Sequence, residues 1–191
     1  AQIIDLPGTY ALLGSSLDEK IVTQLLRGEL KGCRKPDLVV AVVDATNLER
    51  NLFLVSELID AGFPIVLAIN MMDAAEQAGI KVYGELLSRA LDLPVVQIIA
   101  RSKFGFPNLL REISRALLTP SSSSKRLAWL PLEHALRASL ETQESVATKH
   151  LDAATITAIG SLRYTWIRAL VKKTSSQRSE DGSTVSSALD R

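Results

Sequence analysis

Short apolar runs alternate with helically spaced apolar positions over the first 118 residues. Residues 38–43 are wholly apolar and closed by Asp44, residues 64–69 stop at Asn70-Met71-Met72-Asp73, and residues 94–99 lead to Ala100-Arg101-Ser102-Lys103. A shorter run, Ile3-Ile4, enters Asp5-Leu6-Pro7-Gly8-Thr9-Tyr10. Runs this short, rich in β-branched residues and bounded by turn formers, predict strands, and the 38–43 run reads as one buried on both faces. Between them lie stripes at helical spacing: Ile21, Val22, Leu25 and Leu26; Leu52, Leu54, Val55, Leu58 and Ile59; Leu86, Leu87, Ala90 and Leu91; Leu109, Leu110, Ile113 and Leu117. Ala74, Ala75 and Ala78 suggest a further short helix ending at Gly79. Ser16 and Glu19 have the spacing of a capping box, and Asn47 is placed to cap the second helix. Four strand-like runs alternating with helices predict an α/β fold, a doubly wound parallel sheet with right-handed crossovers.

Residues 1–118 therefore read as one α/β domain. Residues 119–125, Thr-Pro-Ser-Ser-Ser-Ser-Lys, have the composition of a linker. Residues 126–173 read as a short helical domain, with Leu132, Ala135, Leu136 and Leu140 on one helix and Ile156, Ile159, Trp166, Ile167, Leu170 and Val171 on another. Residues 174–191 are polar and Ser-rich and read as a flexible tail.

With 47% hydrophobic residues in 191, the chain has ample material for a core. A net charge of +1 from 22 basic and 21 acidic residues gives no case for nucleic-acid binding. Cys33 alone cannot build a disulfide framework and suits a reducing compartment. No run approaches the ~18 apolar residues of a membrane helix, and the first residues do not have the pattern of a signal peptide. They read as a strand already under way, without an initiating Met, so the chain is expected to be a piece of something longer. Trp129 and Trp166 are expected to pack in helices, and His134 and His150 share no metal-ligand spacing with a Cys or acidic cluster.

The polar groups at the ends of the apolar runs carry the chemistry. In parallel sheets ligands bind beyond the carboxyl ends of the strands. At such a tip Asp73 can accept two hydrogen bonds from the N1–H and exocyclic amine of guanine, a pair adenine does not offer. Charge-assisted bonds are worth about 1.5–3 kcal/mol each, so two separate the bases by about 3 kcal/mol or more. Asp5 can hold a magnesium ion through water, and the Gly8 N–H can approach a terminal phosphate where no Cβ intrudes. The polar, glycine-containing stretch between Gly8 and the first helix suits a segment that moves with the nucleotide. At the third tip, the backbone N–H of Ala100 can reach the guanine carbonyl O6 while its small side chain leaves room for the ring.

D-x-x-G, then N-x-x-D, then a small residue at a strand end follows the order of the P-loop GTPases. The resemblance narrows further. Asp5-Leu6-Pro7-Gly8-Thr9-Tyr10, Ser16-Leu17-Asp18-Glu19, Asp44-Ala45-Thr46-Asn47-Leu48-Glu49-Arg50-Asn51-Leu52 and Asn70-Met71-Met72-Asp73 resemble the cytosolic G domain of FeoB, the bacterial ferrous iron transporter family. The resemblance runs to about residue 118 and resumes at Leu162-Arg163-Tyr164-Thr165-Trp166-Ile167, where the family has an Arg-Tyr helix shortly before its membrane part. It implies GTP and GDP as ligands with Mg2+ as cofactor: Asp5 in the magnesium and water shell, Gly8 at the γ-phosphate, Asn70 and Asp73 at the guanine, Ala100 at O6. Thr9 stands at the water-facing catalytic position where many small GTPases carry Gln, so hydrolysis is expected to be slow. It also implies a partner, the membrane transport domain of the same parent chain, a place on the cytoplasmic face of a bacterial inner membrane, and oligomers formed through the parent. In the family the helical domain couples the G domain to the membrane; here it looks shortened.

Two features depart from that pattern. The phosphate-cradling G-x-x-x-x-G-K-[ST] loop occurs nowhere in these residues, and without its N–H nest and Lys the chain alone is expected to bind GTP poorly or not at all. Its strand would lie between those ending at Asp5 and Asp44, so the sheet is expected to lack its centre. Ile99 also replaces the Ser or Thr usual before Ala100. The competing readings are a soluble GTPase of ribosome or tRNA maturation and a non-catalytic scaffold that keeps the fold. The former predicts a basic RNA-binding appendage, whereas residues 121–191 are only mildly basic and show no aromatic-basic interleaving.

Overall fold

A computed structural model describes residues 2–12, 17–119 and 153–177, with the side chains of the last segment described from Thr157 onward. In chain order the elements are α1 (Leu17–Arg27), β1 (Val39–Asp44), α2 (Leu48–Asp60), β2 (Ile65–Asn70), α3 (Met72–Gln77), β3 (Ile80–Val82), α4 (Gly84–Leu91), β4 (Val95–Gln97), α5 (Phe106–Leu118), α6 (Ala153–Thr174) and β5 (Ser175–Gln177). β1, β2 and β4 form a three-stranded parallel sheet in the order β1-β2-β4. The register sets Asp44 beside Asn70 and Ile69 beside Gln97, so the carboxyl ends of the strands lie level. β3 and β5 form a separate antiparallel pair.

Strand periodicity sends alternate residues to opposite faces. On one face Ala41, Val43, Leu67 and Ile69 join Val22 and Leu26 of α1, Leu52, Val55 and Leu58 of α2, Leu87 of α4 and Ile167 and Leu170 of α6 in the main core. On the other, Val66, Ala68, Val96 and Ile98 meet Phe106, Leu109 and Ile113 of α5. Helices cover both faces, as the alternation of runs predicts. β1 departs from the reading as a doubly buried strand: Val40 and Val42 are 37% and 59% exposed. The reason is reach, since α5 packs over β2 and β4 and leaves that face of β1 open among the described residues.

The first predicted strand does not form. Residues 2–9 have no regular structure, and Ile3 and Ile4 lie exposed. A strand needs a neighbour's N–H and C=O groups, and among the described residues no strand pairs with this segment. Only Leu6 and Leu12 of this stretch pack against the core. Of the proposed linker only Thr119 is described, as the C-cap of α5 with its N–H donating to the Arg115 carbonyl at 3.0 Å; Ser16, residues 120–125, Trp129, His134, His150 and the helix proposed around Leu132 lie outside the described residues. Asn47 is the N-cap residue of α2 but makes no side-chain cap bond; Asp44 does the local capping, its Oδ1 accepting from the Thr46 N–H and hydroxyl at 2.7 Å each. At the far end, Ser175–Gln177 of the predicted flexible tail instead pairs with β3. α6 docks on α2 and α4 and brings Thr174 to where its carbonyl accepts the Tyr83 N–H, 2.8 Å away, so pairing follows from tertiary docking where strand propensity is lacking.

Candidate functional site

β2 is buried along its whole length until Asn70, which is half-buried at the tip. There the Asn70 Oδ1 accepts the backbone N–H of Ala100 at 3.0 Å, tying the end of β2 to the loop that follows β4. The turn between Asn70 and Asp73 places Met71 in the left-handed region, at φ 61°, a conformation that costs a residue with Cβ roughly 1–2 kcal/mol. Strain of this kind persists where the surroundings over-determine it, and it concentrates at functional sites. It puts Asp73 in the first turn of α3, where its carboxylate meets the Arg101 guanidinium at 3.5 Å. Asn70, Asp73 and Ala100, three of the residues selected from sequence, are therefore brought together. Arg101, which the sequence reading did not single out, joins them.

The loop carrying Ala100 is closed tightly. Ile99, the departure from the usual Ser or Thr, forms a bridge with Phe104, its N–H donating to the Phe104 carbonyl at 3.1 Å. Lys103 and Gly105 both have positive φ. A Cβ on Gly105 would stand 2.3 Å from the carbonyl oxygen of Gln97, so this position requires the missing side chain. The Gln97 side chain in turn donates to the carbonyl of Val82 at 2.8 Å, fastening β4 to β3.

Asp5, Gly8 and Thr9 belong to a second group, on the segment that runs over α1 and α2. Asp5 and Gly8 are exposed, and a Cβ built on Gly8 meets nothing within 4 Å. The Thr9 hydroxyl donates to the Ala11 carbonyl of its own loop at 2.8 Å. The Arg50 guanidinium lies over the Tyr10 ring, 3.8 Å from its centroid. Further along, Leu12 is held on both sides: its N–H donates to Glu57 Oε2 at 2.7 Å, and its carbonyl accepts from the Thr23 hydroxyl at 2.7 Å. Burial pushes the Glu57 carboxyl above the usual carboxylate range, partly offset by the Leu12 N–H and by the Arg163 charge. Among the described residues no three His, Cys, Asp or Glu side chains converge on a metal-sized site.

The N-terminal family profile of Ferrous iron transport protein B matches residues 1–113. The chain belongs to the FeoB family. The Fe(2+) transporter FeoB of Helicobacter pylori is 48% identical over 116 residues, covering 59% of this chain and 17% of that protein. The cytosolic domain of L. pneumophila FeoB superposes with a TM-score of 0.73 at 27% identity, covering 91% of this chain and 78% of that one. The FeoB G domain from Methanococcus jannaschii is 41% identical with a TM-score of 0.57, covering 61% of this chain and 69% of that domain. The fold is therefore that of the FeoB G domain, with the P-loop GTPase-like α/β architecture expected from sequence. The chain spans less than a fifth of the length of the FeoB transporters it matches.

Proposed function

We propose that this chain is part of the GTP-binding, GTP-hydrolysing domain of a ferrous iron transporter, and that in the full-length protein its nucleotide cycle regulates or drives Fe(II) passage at the cytoplasmic face of the bacterial inner membrane. The observation that carries the reading is the Asn70–Ala100 bond at the level strand tips with Asp73 one turn away. It assembles a carboxylate and a backbone donor beyond the carboxyl end of a parallel sheet, the place where such folds bind ligands. Asp73 accepts the guanine N1–H and amine, Asn70 braces the loop, and Ala100 offers its N–H to O6. Because that N–H already donates to Asn70, O6 competes for it, and the Asp73 pair contributes most of the base selectivity. The partners are guanine nucleotide and the transporter's own membrane domain. Bound Mg2+, held by Asp5 through water, would neutralise phosphate charge; Gly8 gives its N–H to the terminal phosphate and Thr9 faces the attacking water.

Gly8 supplies the test on the phosphate side. Its Cβ position is open and its φ is not left-handed, so Gly8→Ala is tolerated by the fold and is expected to stabilise by about 0.4–1 kcal/mol through the unfolded chain. In a longer form that carries a phosphate-cradling loop, the added methyl meets the γ-phosphate. Phosphate release from GTP is expected to fall by about tenfold or more while GDP affinity stays within about twofold. Unchanged hydrolysis in Gly8→Ala removes the assignment of Gly8 to the γ-phosphate.

A further inference from the structure

The contact between Leu12 and Glu57 spans 45 residues of sequence and involves none of the residues proposed to touch nucleotide. Glu57 sits on the face of α2 that also meets α6. Beside it, Arg163 is 8% exposed; its Nη1 donates to the Ser56 hydroxyl at 2.8 Å and its Nη2 pairs with Asp60 Oδ2 at 2.8 Å. The same guanidinium lies over the Phe53 ring, 5.6 Å from its centroid, and Phe53 packs against Tyr164 at 4.8 Å. One stripe of α2, residues 53, 56, 57 and 60, thus holds the segment after Gly8 on one side and α6 on the other.

We propose that Glu57 is a positioning residue: a latch that holds the segment following Gly8 to α2 and, with the neighbouring Arg163 cluster, makes the order of that segment and the docking of α6 interdependent. Arg163 and Glu57 attract each other, with Asp60 and Glu19 as the opposing neighbours. The partly buried Glu57 carboxylate has the Leu12 N–H as a hydrogen-bond donor and the Arg163 charge as its attracting neighbour. Loss of Glu57 frees Leu12 and removes a negative charge that helps hold the Arg163 guanidinium against α2; loss of Arg163 leaves the Glu57 charge without its attracting cation and weakens its hold on Leu12. Coupling of this kind is reciprocal. Its functional meaning rests on the assignment of Gly8 to the terminal phosphate, through which nucleotide state would bias α6. The latch itself is protein geometry and is tested without nucleotide.

The test is amide hydrogen exchange on the chain as it stands, followed in peptides covering residues 9–12 and 157–174. Glu57→Ala is expected to raise exchange in both segments by about tenfold. Arg163→Met is expected to do the same to residues 9–12. Glu57→Gln, whose amide oxygen still accepts the Leu12 N–H, is expected to restore protection of residues 9–12 to within about twofold. Should Glu57→Ala fail to fold, Glu57→Gln and Arg163→Met carry the comparison. Loosening of residues 9–12 in Glu57→Ala with no change in α6, or unchanged exchange there in Arg163→Met, overturns the latch. Because no nucleotide enters the experiment, that failure is separate from a failure of Gly8→Ala in phosphate release.

Discussion

Asp73→Asn is expected to move base selectivity from guanine to xanthine. In the proposed binding mode the carboxylate accepts from both the N1–H and the amine of guanine; the amide of Asn can accept only one of them and turns its NH2 toward the other. Losing a charge-assisted bond and opposing two donors costs about 3 kcal/mol, so GDP affinity falls on the order of 100-fold. Xanthine carries a carbonyl where guanine carries the amine, and the Asn NH2 donates to it. Competition of labelled GDP by xanthosine diphosphate, in a form of the protein that binds nucleotide, reads the switch. The fold is not at risk in this variant, because the Arg101 partner of Asp73 is 89% exposed and an ion pair in solvent contributes little. Equal loss of both nucleotides would assign Asp73 a structural role in place of base reading.

Gly105→Ala is expected to be strongly destabilising. The new Cβ would stand 2.3 Å from the Gln97 carbonyl oxygen, with Ile98 behind it at 3.0 Å, and the position has φ 79°. Neither neighbour is the loose end of a flexible side chain, so backbone must move. Left-handed strain and overpacking together cost about 3 kcal/mol or more, a fall of about 10 °C or more in melting temperature. The Ala100–Lys103 loop shifts with it, so base affinity in the nucleotide-binding form falls as well. A thermal melt of the chain checks the first effect; a melting temperature within a degree or two of wild type would contradict the close approach.

The clustering of Asn70, Asp73 and Ala100, the residues proposed to read the base, was legible because they end apolar runs whose burial the sequence pattern shows directly. Residues 64–69 announce β2, and the first polar side chains after them are Asn70 and, a turn later, Asp73. What sequence could not show is how those residues are held. The Asn70–Ala100 bond joins positions 30 apart, and the left-handed Met71 has none of the Gly or Asn chemistry that signals φ > 0. β3 and β5 were missed for a related reason: each has three residues, and Ser175-Ser176-Gln177 becomes a strand only because α6 delivers it to β3. The Ile3-Ile4 run misled in the opposite direction. Its composition is that of a strand, but a strand is a property of two segments, and among the described residues none lies beside it. Glu57 carried no signal in the sequence, and Arg163 stood out only within the Arg-Tyr resemblance; burial and partners, which only packing supplies, mark them out.

The most direct test of the central claim, that these strand tips read guanine, is a titration with a fluorescent GDP analogue and magnesium, competed by GTP and by ATP. It compares these 191 residues with a form extended upstream to include a phosphate-cradling loop. Binding by the extended form alone, with GTP displacing the probe and ATP failing to do so, is the result predicted. An extended form that is folded by circular dichroism yet binds neither nucleotide, or releases the probe to ATP as readily as to GTP, would contradict it.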